Sequence, residues 1–235
     1  MASLKEKWID SSLSFSDEEK APSDSLSVLS EENVGNPEWR RKYLSPHITN
    51  NSWDLTLDEL GHQGHTNIFN LGKVFSSSYC KELIEAAESD GNWTEKRHEN
   101  YPTTDMLLDD LGAGIAYENV LRKYVYPTVV EKWRLEGQKW NKLKGENFII
   151  RYHPGEQAGL ALHHDFSEFT CLTTLNEEYE GGGTWFANQK MLVKNKAGDM
   201  VFHPGTITHL HGGRPVTSGV RYVIVSFCRC DGEGD

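Results

Sequence analysis

The feature that most constrains this chain is a group of metal-ligating side chains in its last third. His163, His164 and Asp165 are consecutive, and His209 and His211 follow later in the chain. Alternate side chains of a β-strand share one face, so His163 and Asp165 are predicted to point to one side. His209 and His211 alternate in the same way. The spacing leaves open which of these two joins the first pair.

A distant arginine adds to the metal-site pattern. Two imidazoles and one carboxylate on one face of an ion leave coordination positions open, which is typical of non-haem Fe(II) oxygenases. Arg221 follows His211 by ten residues, and its guanidinium would hold the far carboxylate of a 2-oxoacid cosubstrate. A His-x-Asp pair alone arises often by chance and then marks surface or hydrogen-bonded structural histidines. The complete set favours a metal site.

Composition excludes several classes of protein. The chain has 235 residues, 37% of them hydrophobic, which suits one ordinary domain with or without a tail. The net charge of −11 argues against non-specific binding to nucleic acid. We expect no membrane span and no signal peptide, hence a cytoplasmic protein, or one of the endoplasmic reticulum if the N-terminus is incomplete. The cysteines show no zinc-ligand pattern, which favours reduced thiols; they are Cys80, Cys171, Cys228 and Cys230.

The chain divides into three parts by composition. Residues 1–35 are Ser-rich and acidic with few apolar side chains, and we predict a disordered tail. Residues 36–66 are predicted to form a lead-in and an irregular connection, since Pro, Asn and Gly punctuate them. Residues 67–230 are predicted to form the folded domain.

Two helices and a series of short strands are predicted inside this domain. Ser76–Ser89 has serines that can cap a helix and is followed by Gly91 as a stop. Ile115–Trp133 has an apolar face, and Pro127 should kink or split it. From Asn147 onward, short β-rich segments alternate with Gly and Pro turns. This pattern predicts an antiparallel sandwich or barrel with both helices packed on its outside.

Several separate motifs follow one another in a fixed order along the chain. They are Asn36–Tyr43, Pro102–Met106, Asn147–Tyr152, His163–Asp165, Tyr179–Gly183, His203–Gly205, Thr208–His211 and Gly219–Tyr222. With these motifs the chain resembles the C-terminal catalytic domain of the procollagen lysyl hydroxylases (procollagen-lysine 2-oxoglutarate 5-dioxygenases), within the Fe(II)- and 2-oxoglutarate-dependent dioxygenase superfamily. It departs from the family pattern at Leu172, where Asn is common, and at Thr184, where Cys is usual.

The resemblance implies a fold, a ligand set and a chemistry. The implied fold is mainly β with flanking helices, a double-stranded β-helix (jelly-roll) sandwich. The implied iron ligands are His163, Asp165 and His211, with Arg221 anchoring 2-oxoglutarate and Tyr152 lining the same pocket. The implied cofactors are Fe(II), the cosubstrate 2-oxoglutarate and O2, with L-ascorbate as reductant. Oxidative decarboxylation to succinate and CO2 would be coupled to hydroxylation of a side chain.

The acceptor expected from the resemblance is a peptidyl lysine, with Asp105 helping to hold its ammonium group. A turn- or helix-capping role for Asp105 is an equal alternative. Peptidyl proline and a free amino acid are alternative acceptors. The expected partner is thus a protein, peptide or amino-acid substrate, and a homodimer is left open.

Two other classes of function compete with a dioxygenase. A metal-binding interaction module without turnover would not need an oxoacid anchor such as Arg221. A zinc hydrolase is disfavoured because the single carboxylate and the open metal face suit iron better. His203 and His209 are expected either to hydrogen-bond around the metal or to pack.

Overall fold

The computed structural model describes residues 27–29, 35–49, 58–61, 65–98 and 100–230. None of the helices in these ranges is long and apolar enough to cross a membrane. The α-helices are α1 (Pro37–Tyr43), α2 (Pro46–Thr49), α3 (Ser77–Asp90), α4 (Gly114–Val120) and α5 (Tyr126–Lys132). The strands are β1 (Asp58–Glu59), β2 (Phe69–Lys73), β3 (Asp105–Leu107), β4 (Leu143–Tyr152), β5 (Leu160–His163), β6 (Phe169–Thr174), β7 (Tyr179–Gly181), β8 (Thr184–Phe186), β9 (Met191–Val193), β10 (Asp199–Pro204), β11 (His211–Gly213), β12 (Val216–Gly219) and β13 (Arg221–Cys230).

The strands form two sheets and a short ribbon, and their pairings are antiparallel. The larger sheet has the order β1-β2-β10-β6-β13-β4-β3, and the smaller has the order β5-β11-β8-β9. Strands β12 and β7 form the ribbon. The helices pack on the larger sheet, on the face opposite the smaller sheet. The predicted jelly-roll sandwich with flanking helices is confirmed.

The larger sheet is buried on both faces, and side-chain alternation decides what each face packs against. In β13, Ile224 belongs to the core shared with the helices. Val223 and Val225 point the other way, into a second apolar cluster. Arg221 shares their face by its spacing, and the register of β13 on β4 places it directly opposite Tyr152. Because alternate residues of a strand share one face, the side chains of Arg221 and Tyr152 both lie in the space between the two sheets.

Helix α3 begins and ends where its sequence signals predict. The hydroxyl of Ser76 accepts a hydrogen bond from Tyr79 N at 3.1 Å and so caps the first turn. Gly91 ends the helix in the left-handed conformation at φ 71°, which glycine adopts without strain. The predicted helix Ser76–Ser89 is confirmed to within one residue at each end.

The second predicted helix is continuous but changes its winding before the proline. A π-helical turn over Leu121–Val125 separates α4 from α5. Pro127 lies in the first turn of α5. A proline lacks the backbone N–H and its ring clashes with the carbonyl four residues earlier, so a regular α-helix cannot pass through it. The chain meets Pro127 with a π-helical turn directly before it, in which Tyr126 N donates to Leu121 O five residues earlier.

At residues 27–29 the structure differs from the predicted disordered tail. Val28 is 3% exposed and belongs to the main core. The carbonyl of Ser27 accepts a hydrogen bond from Trp39 Nε1 at 3.1 Å. Leu29 also packs against this core. Two apolar side chains thus attach the segment to the core, and one backbone carbonyl attaches it to α1. The rest of the tail prediction and part of the predicted connection lie outside the described residues, at 1–26, 30–34, 50–57 and 62–64.

Val28→Ala is expected to lower the free energy of unfolding by about 1–2 kcal/mol, because it removes two buried methyl groups. Urea unfolding followed by fluorescence measures the change. The control Ile115→Ala truncates a side chain that is 49% exposed and should stay within about 0.5 kcal/mol of the parent. If the two variants behave alike, residues 27–29 do not pack on the core.

Candidate metal centre

Strand pairing brings two predicted ligands side by side. The register of β11 on β5 sets His211 directly opposite His163. Residues opposite each other on an antiparallel pair share a face, so both imidazoles enter the same space, with ring centroids 4.6 Å apart. The smaller sheet therefore joins two histidines that are remote in the sequence.

Asp165 completes the cluster from a loop. It lies two residues beyond the end of β5. The prediction that His163 and Asp165 alternate on one strand therefore holds only for His163, the last residue of that strand. Asp165 Oδ1 is 3.2 Å from His163 Nε2, and its Oδ2 is 3.5 Å from His211 Nε2. One ligand atom from each of the three residues lies within 4.8 Å of the others. A single metal ion fits between them.

Both imidazoles are turned so that Nε2 faces the position of the ion. Nδ1 of His163 is 2.8 Å from Ala161 O, and Nδ1 of His211 is 2.8 Å from His209 O. A carbonyl only accepts, so each neutral ring carries its proton on Nδ1 and keeps the Nε2 lone pair. Metal-binding histidines are commonly oriented by such a bond. The residues present therefore fit a metal ion.

The carboxylate of Asp165 is buried, oriented and ionised. Thr170 Oγ1 donates to its Oδ2 at 2.6 Å and is itself 2.9 Å from Ser167 Oγ. Burial alone would raise the pKa of Asp165, but the neighbouring imidazoles, His211 first, outweigh it and hold the pKa well below its usual value. An ionised, hydrogen-bonded carboxylate is what a divalent cation requires.

Two further histidines surround the cluster without joining it. His209 Nε2 is 2.8 Å from Thr66 O, so this ring is turned away from the ligands. His203 is fully buried with its Nε2 at 4.0 Å from Asp165 Oδ2. Burial, and then the charge of His211, lower the pKa of His203 to about 3, so the ring is neutral at pH 7. The choice that spacing left open thus falls on His211.

A cavity of about 400 Å³ lies in front of the cluster, and Arg221 lines it. Arg221 is 4% exposed, its Nη2 donates to Thr184 Oγ1 at 3.3 Å, and its guanidinium lies 5.4 Å from the ring centroid of Tyr152. Burial raises the pKa of Tyr152 to about 12, so this neighbour is neutral. No carboxylate among the described residues pairs with Arg221, and its Nε has no partner there. The cavity thus contains a buried cation that has no counter-ion in the part of the chain that the structure describes.

The two positions that depart from the family pattern both line this cavity. Thr184 lies on β8 in the smaller sheet and accepts from Arg221 across the space between the sheets. Leu172 lies on β6 and adds to an apolar wall with Ile150 and Val223. Thr184 thus provides a hydrogen-bond acceptor for the guanidinium of Arg221. Leu172 makes the cavity wall more apolar than an asparagine would.

Asp105 does not line the cavity, contrary to the contact expected for it. It is fully buried, and its Oδ1 accepts from Arg97 Nε at 2.5 Å. Its Oδ2 accepts from the hydroxyl of Thr103. Both oxygens are therefore occupied by the protein itself. Arg97 and the adjacent His98 line the cavity instead; their polar segment gave no sequence signal beyond an exposed loop.

Comparison with known proteins agrees with this geometry. Residues 148–229 match the family model of the 2OG-Fe(II) oxygenase superfamily. The multifunctional procollagen lysine hydroxylase and glycosyltransferase LH3 of Rattus norvegicus is 34% identical over 203 residues, covering 81% of this chain and 27% of the relative. Procollagen-lysine,2-oxoglutarate 5-dioxygenase 1 of Gallus gallus is 34% identical over 207 residues, covering 82% and 27%. The chain thus spans about a quarter of the length of these curated relatives.

A solved structure shares the fold. The viral collagen prolyl hydroxylase of Paramecium Bursaria Chlorella virus-1, crystallised with 2-oxoglutarate, superposes with a TM-score of 0.54 at 21% identity. The match covers 73% of this chain and 100% of the viral chain. Residues 148–229 thus form a domain of the 2OG-Fe(II) oxygenase superfamily, and the chain is similar to the procollagen lysyl hydroxylases.

Proposed function

We propose that this chain is a Fe(II)- and 2-oxoglutarate-dependent dioxygenase that hydroxylates lysine side chains in a peptide or protein. The observation that carries the proposal is Arg221, a buried guanidinium without a carboxylate partner in the described part of the chain. A buried unpaired charge is costly, so its cavity suits an anionic ligand. One carboxylate of 2-oxoglutarate can pair with the planar guanidinium of Arg221 through two hydrogen bonds, and the 2-oxo acid group at its other end can bind a metal ion.

His163, Asp165 and His211 would hold the Fe(II), since they combine nitrogen and oxygen ligands on one side and leave the cavity side open. The chemistry that the bound metal supplies is the oxidative decarboxylation of 2-oxoglutarate with O2, coupled to hydroxylation of the acceptor. L-Ascorbate would serve as the reductant that keeps the metal in the ferrous state. An interaction module without turnover would have no use for the buried Arg221.

The remaining side chains position the reactants and exclude water. Thr170 fixes the carboxylate of Asp165, and Tyr152 lies against the guanidinium of Arg221. The wall between them is apolar, with Ile150 and Leu172 among its members. A dry cavity strengthens each electrostatic contact inside it and limits side reactions with water.

The choice of lysine as acceptor rests on the relatives, which are named as procollagen-lysine hydroxylases. The test incubates the chain with Fe(II), ascorbate, O2 and 2-oxoglutarate, with a lysyl or a prolyl peptide. Succinate and the mass of one added oxygen are measured. Oxygen added to the lysyl peptide supports the proposal. Succinate formation with oxygen on the prolyl peptide alone would move the acceptor to proline, and the absence of succinate would refute the dioxygenase.

His163→Ala, Asp165→Ala and His211→Ala are each expected to abolish Fe(II)-dependent succinate formation while thermal unfolding stays cooperative, because each removes one of three protein ligands. His209→Ala is the matched control, since this ring hydrogen-bonds Thr66 O instead of facing the cluster, and it should keep most of the activity. An inactive His209→Ala beside an active His211→Ala would show that the ligands are wrongly assigned.

Arg221→Lys is expected to raise the KM for 2-oxoglutarate by about ten- to a hundredfold, because lysine keeps the charge and loses the two-pronged geometry. The KM is determined from the steady-state rate of succinate formation at varied 2-oxoglutarate concentration. Arg214→Lys makes the same change at an exposed position beside Trp185 and should leave the KM unchanged. Equal KM values for Arg221→Lys and the parent would place the cosubstrate elsewhere.

Thr170→Val is expected to weaken divalent-metal binding by about tenfold, since the hydroxyl that orients Asp165 is lost. Titration calorimetry with Co(II), which replaces Fe(II) without oxidising in air, measures the affinity. Thr173→Val is the same change on the same strand, where the hydroxyl contacts Tyr117 OH instead. Similar metal affinities for the two variants would mean that Thr170 does not support the ligand.

A further inference from the structure

A chain of hydrogen bonds reaches the cavity wall from the buried carboxylate of Asp105. Arg97 donates through Nε to Asp105 at 2.5 Å and through Nη1 to Glu146 Oε1 at 2.9 Å. Its remaining terminal nitrogen, Nη2, lies 3.2 Å from Nε2 of His98. The guanidinium also lies 4.5 Å from the ring centroid of Phe148. Two carboxylates and an aromatic face thus hold Arg97 in one orientation, and Arg97 holds His98.

The contact with Arg97 decides which nitrogen of His98 carries the proton. A guanidinium has donors and no acceptor, so His98 Nε2 must accept. Asp105 Oδ2 lies 3.8 Å from the same nitrogen, which is too far for a hydrogen bond. Burial, and then the charge of Arg97, lower the pKa of His98, which favours the neutral ring. The neutral ring therefore carries its one proton on Nδ1.

His98 lines the cavity, and its ring packs against two phenylalanines that also contact each other. The ring centroids of Phe148 and Phe227 are 5.3 and 6.1 Å away. Nδ1 of His98 has no hydrogen-bond partner among the described residues. It is not one of the buried polar atoms that lack a partner, so this atom is accessible. Tyr101, on the same segment, lies 5.1 Å from the ring of His163. The segment that carries this N–H therefore passes beside the candidate metal centre.

We propose that His98 Nδ1–H donates a hydrogen bond to a backbone carbonyl of the peptide acceptor, with Arg97 and Asp105 as positioning residues that act through His98. The inference rests on the proposed function and extends it to the peptide backbone. An ammonium group can only donate hydrogen bonds, so the side chain of the target lysine cannot accept one from His98. A peptide carbonyl next to the target lysine can accept this hydrogen bond. Asp105 then contributes to peptide binding through Arg97 and His98, without contacting the peptide.

The test compares two probes on four proteins, under anaerobic conditions with Fe(II) and 2-oxoglutarate present. The probes are N-acetyl-glycyl-lysyl-glycine amide and pentylamine, which has the lysine side chain and no carbonyl. The proteins are the parent, His98→Phe, His98→Asn and Lys96→Met, the last being an exposed neighbour on the same segment. Ligand-observed NMR gives the dissociation constants, and thermal unfolding confirms that each variant folds.

His98→Phe keeps the aromatic packing and removes the donor, so it should weaken peptide binding by about three- to tenfold and leave pentylamine binding unchanged. His98→Asn places an amide N–H near the position of Nδ1 and should restore most of the peptide affinity. Lys96→Met should match the parent with both probes. Equal losses for the two probes, an unchanged peptide affinity in His98→Phe, or a parent that binds no peptide would each overturn the proposal.

A double variant tests whether Arg97 and Asp105 act through His98. Arg97→Met with Asp105→Asn removes the bond to His98 without leaving a buried carboxylate unpaired. Peptide binding should fall by about twofold or more, with pentylamine binding unchanged. An unchanged peptide affinity would overturn the positioning role. Succinate formation is measured in parallel: a parent that binds peptide through His98 and forms no succinate refutes the proposed function and leaves this contact standing.

Discussion

The pairing of two short strands, β5 and β11, is the constraint on which the rest of the site depends. Their register places His163 opposite His211, and both imidazoles lie within 3.5 Å of the carboxylate of Asp165. A slip of one residue would turn one imidazole to the other face of the sheet. Each imidazole then donates a hydrogen bond from Nδ1 to a backbone carbonyl, Ala161 O or His209 O, which fixes the orientation of the ring. The ligand cluster is therefore a product of strand register.

The larger sheet supplies the other half of the site. Alternation along β13 and β4 delivers Arg221 and Tyr152 to the face that looks toward the smaller sheet. Thr184 reaches Arg221 from the opposite sheet, so the cosubstrate position proposed here is bounded by both layers. The helices contribute by covering the far face of the larger sheet, which keeps the middle of β4 and most of β13 buried.

Much of this could be predicted because spacing and chemistry agree at the decisive residues. His163, Asp165 and Arg221 stand in a pattern whose meaning does not depend on distant contacts. The choice of His211 over His209 could not be made from alternation, since a backbone carbonyl from a remote segment decides it. The burial of Val28 cannot be predicted from the sequence, because the few apolar residues around it, Leu26 and Leu29 among them, show no sustained period in a Ser-rich, acidic stretch. For Asp105 the sequence leaves a substrate contact and a capping role open, because it cannot show that an arginine already occupies the carboxylate.

We propose that the His–Asp–His cluster and Arg221 hold Fe(II) and 2-oxoglutarate together in one cavity. The most direct measurement is anaerobic titration of the protein with Fe(II) and then 2-oxoglutarate, followed by visible absorption. Chelation of the metal by the oxoacid produces a new visible band. We predict that this band appears and saturates at one Fe(II) and one 2-oxoglutarate per chain. Metal binding whose spectrum 2-oxoglutarate leaves unchanged would contradict the account.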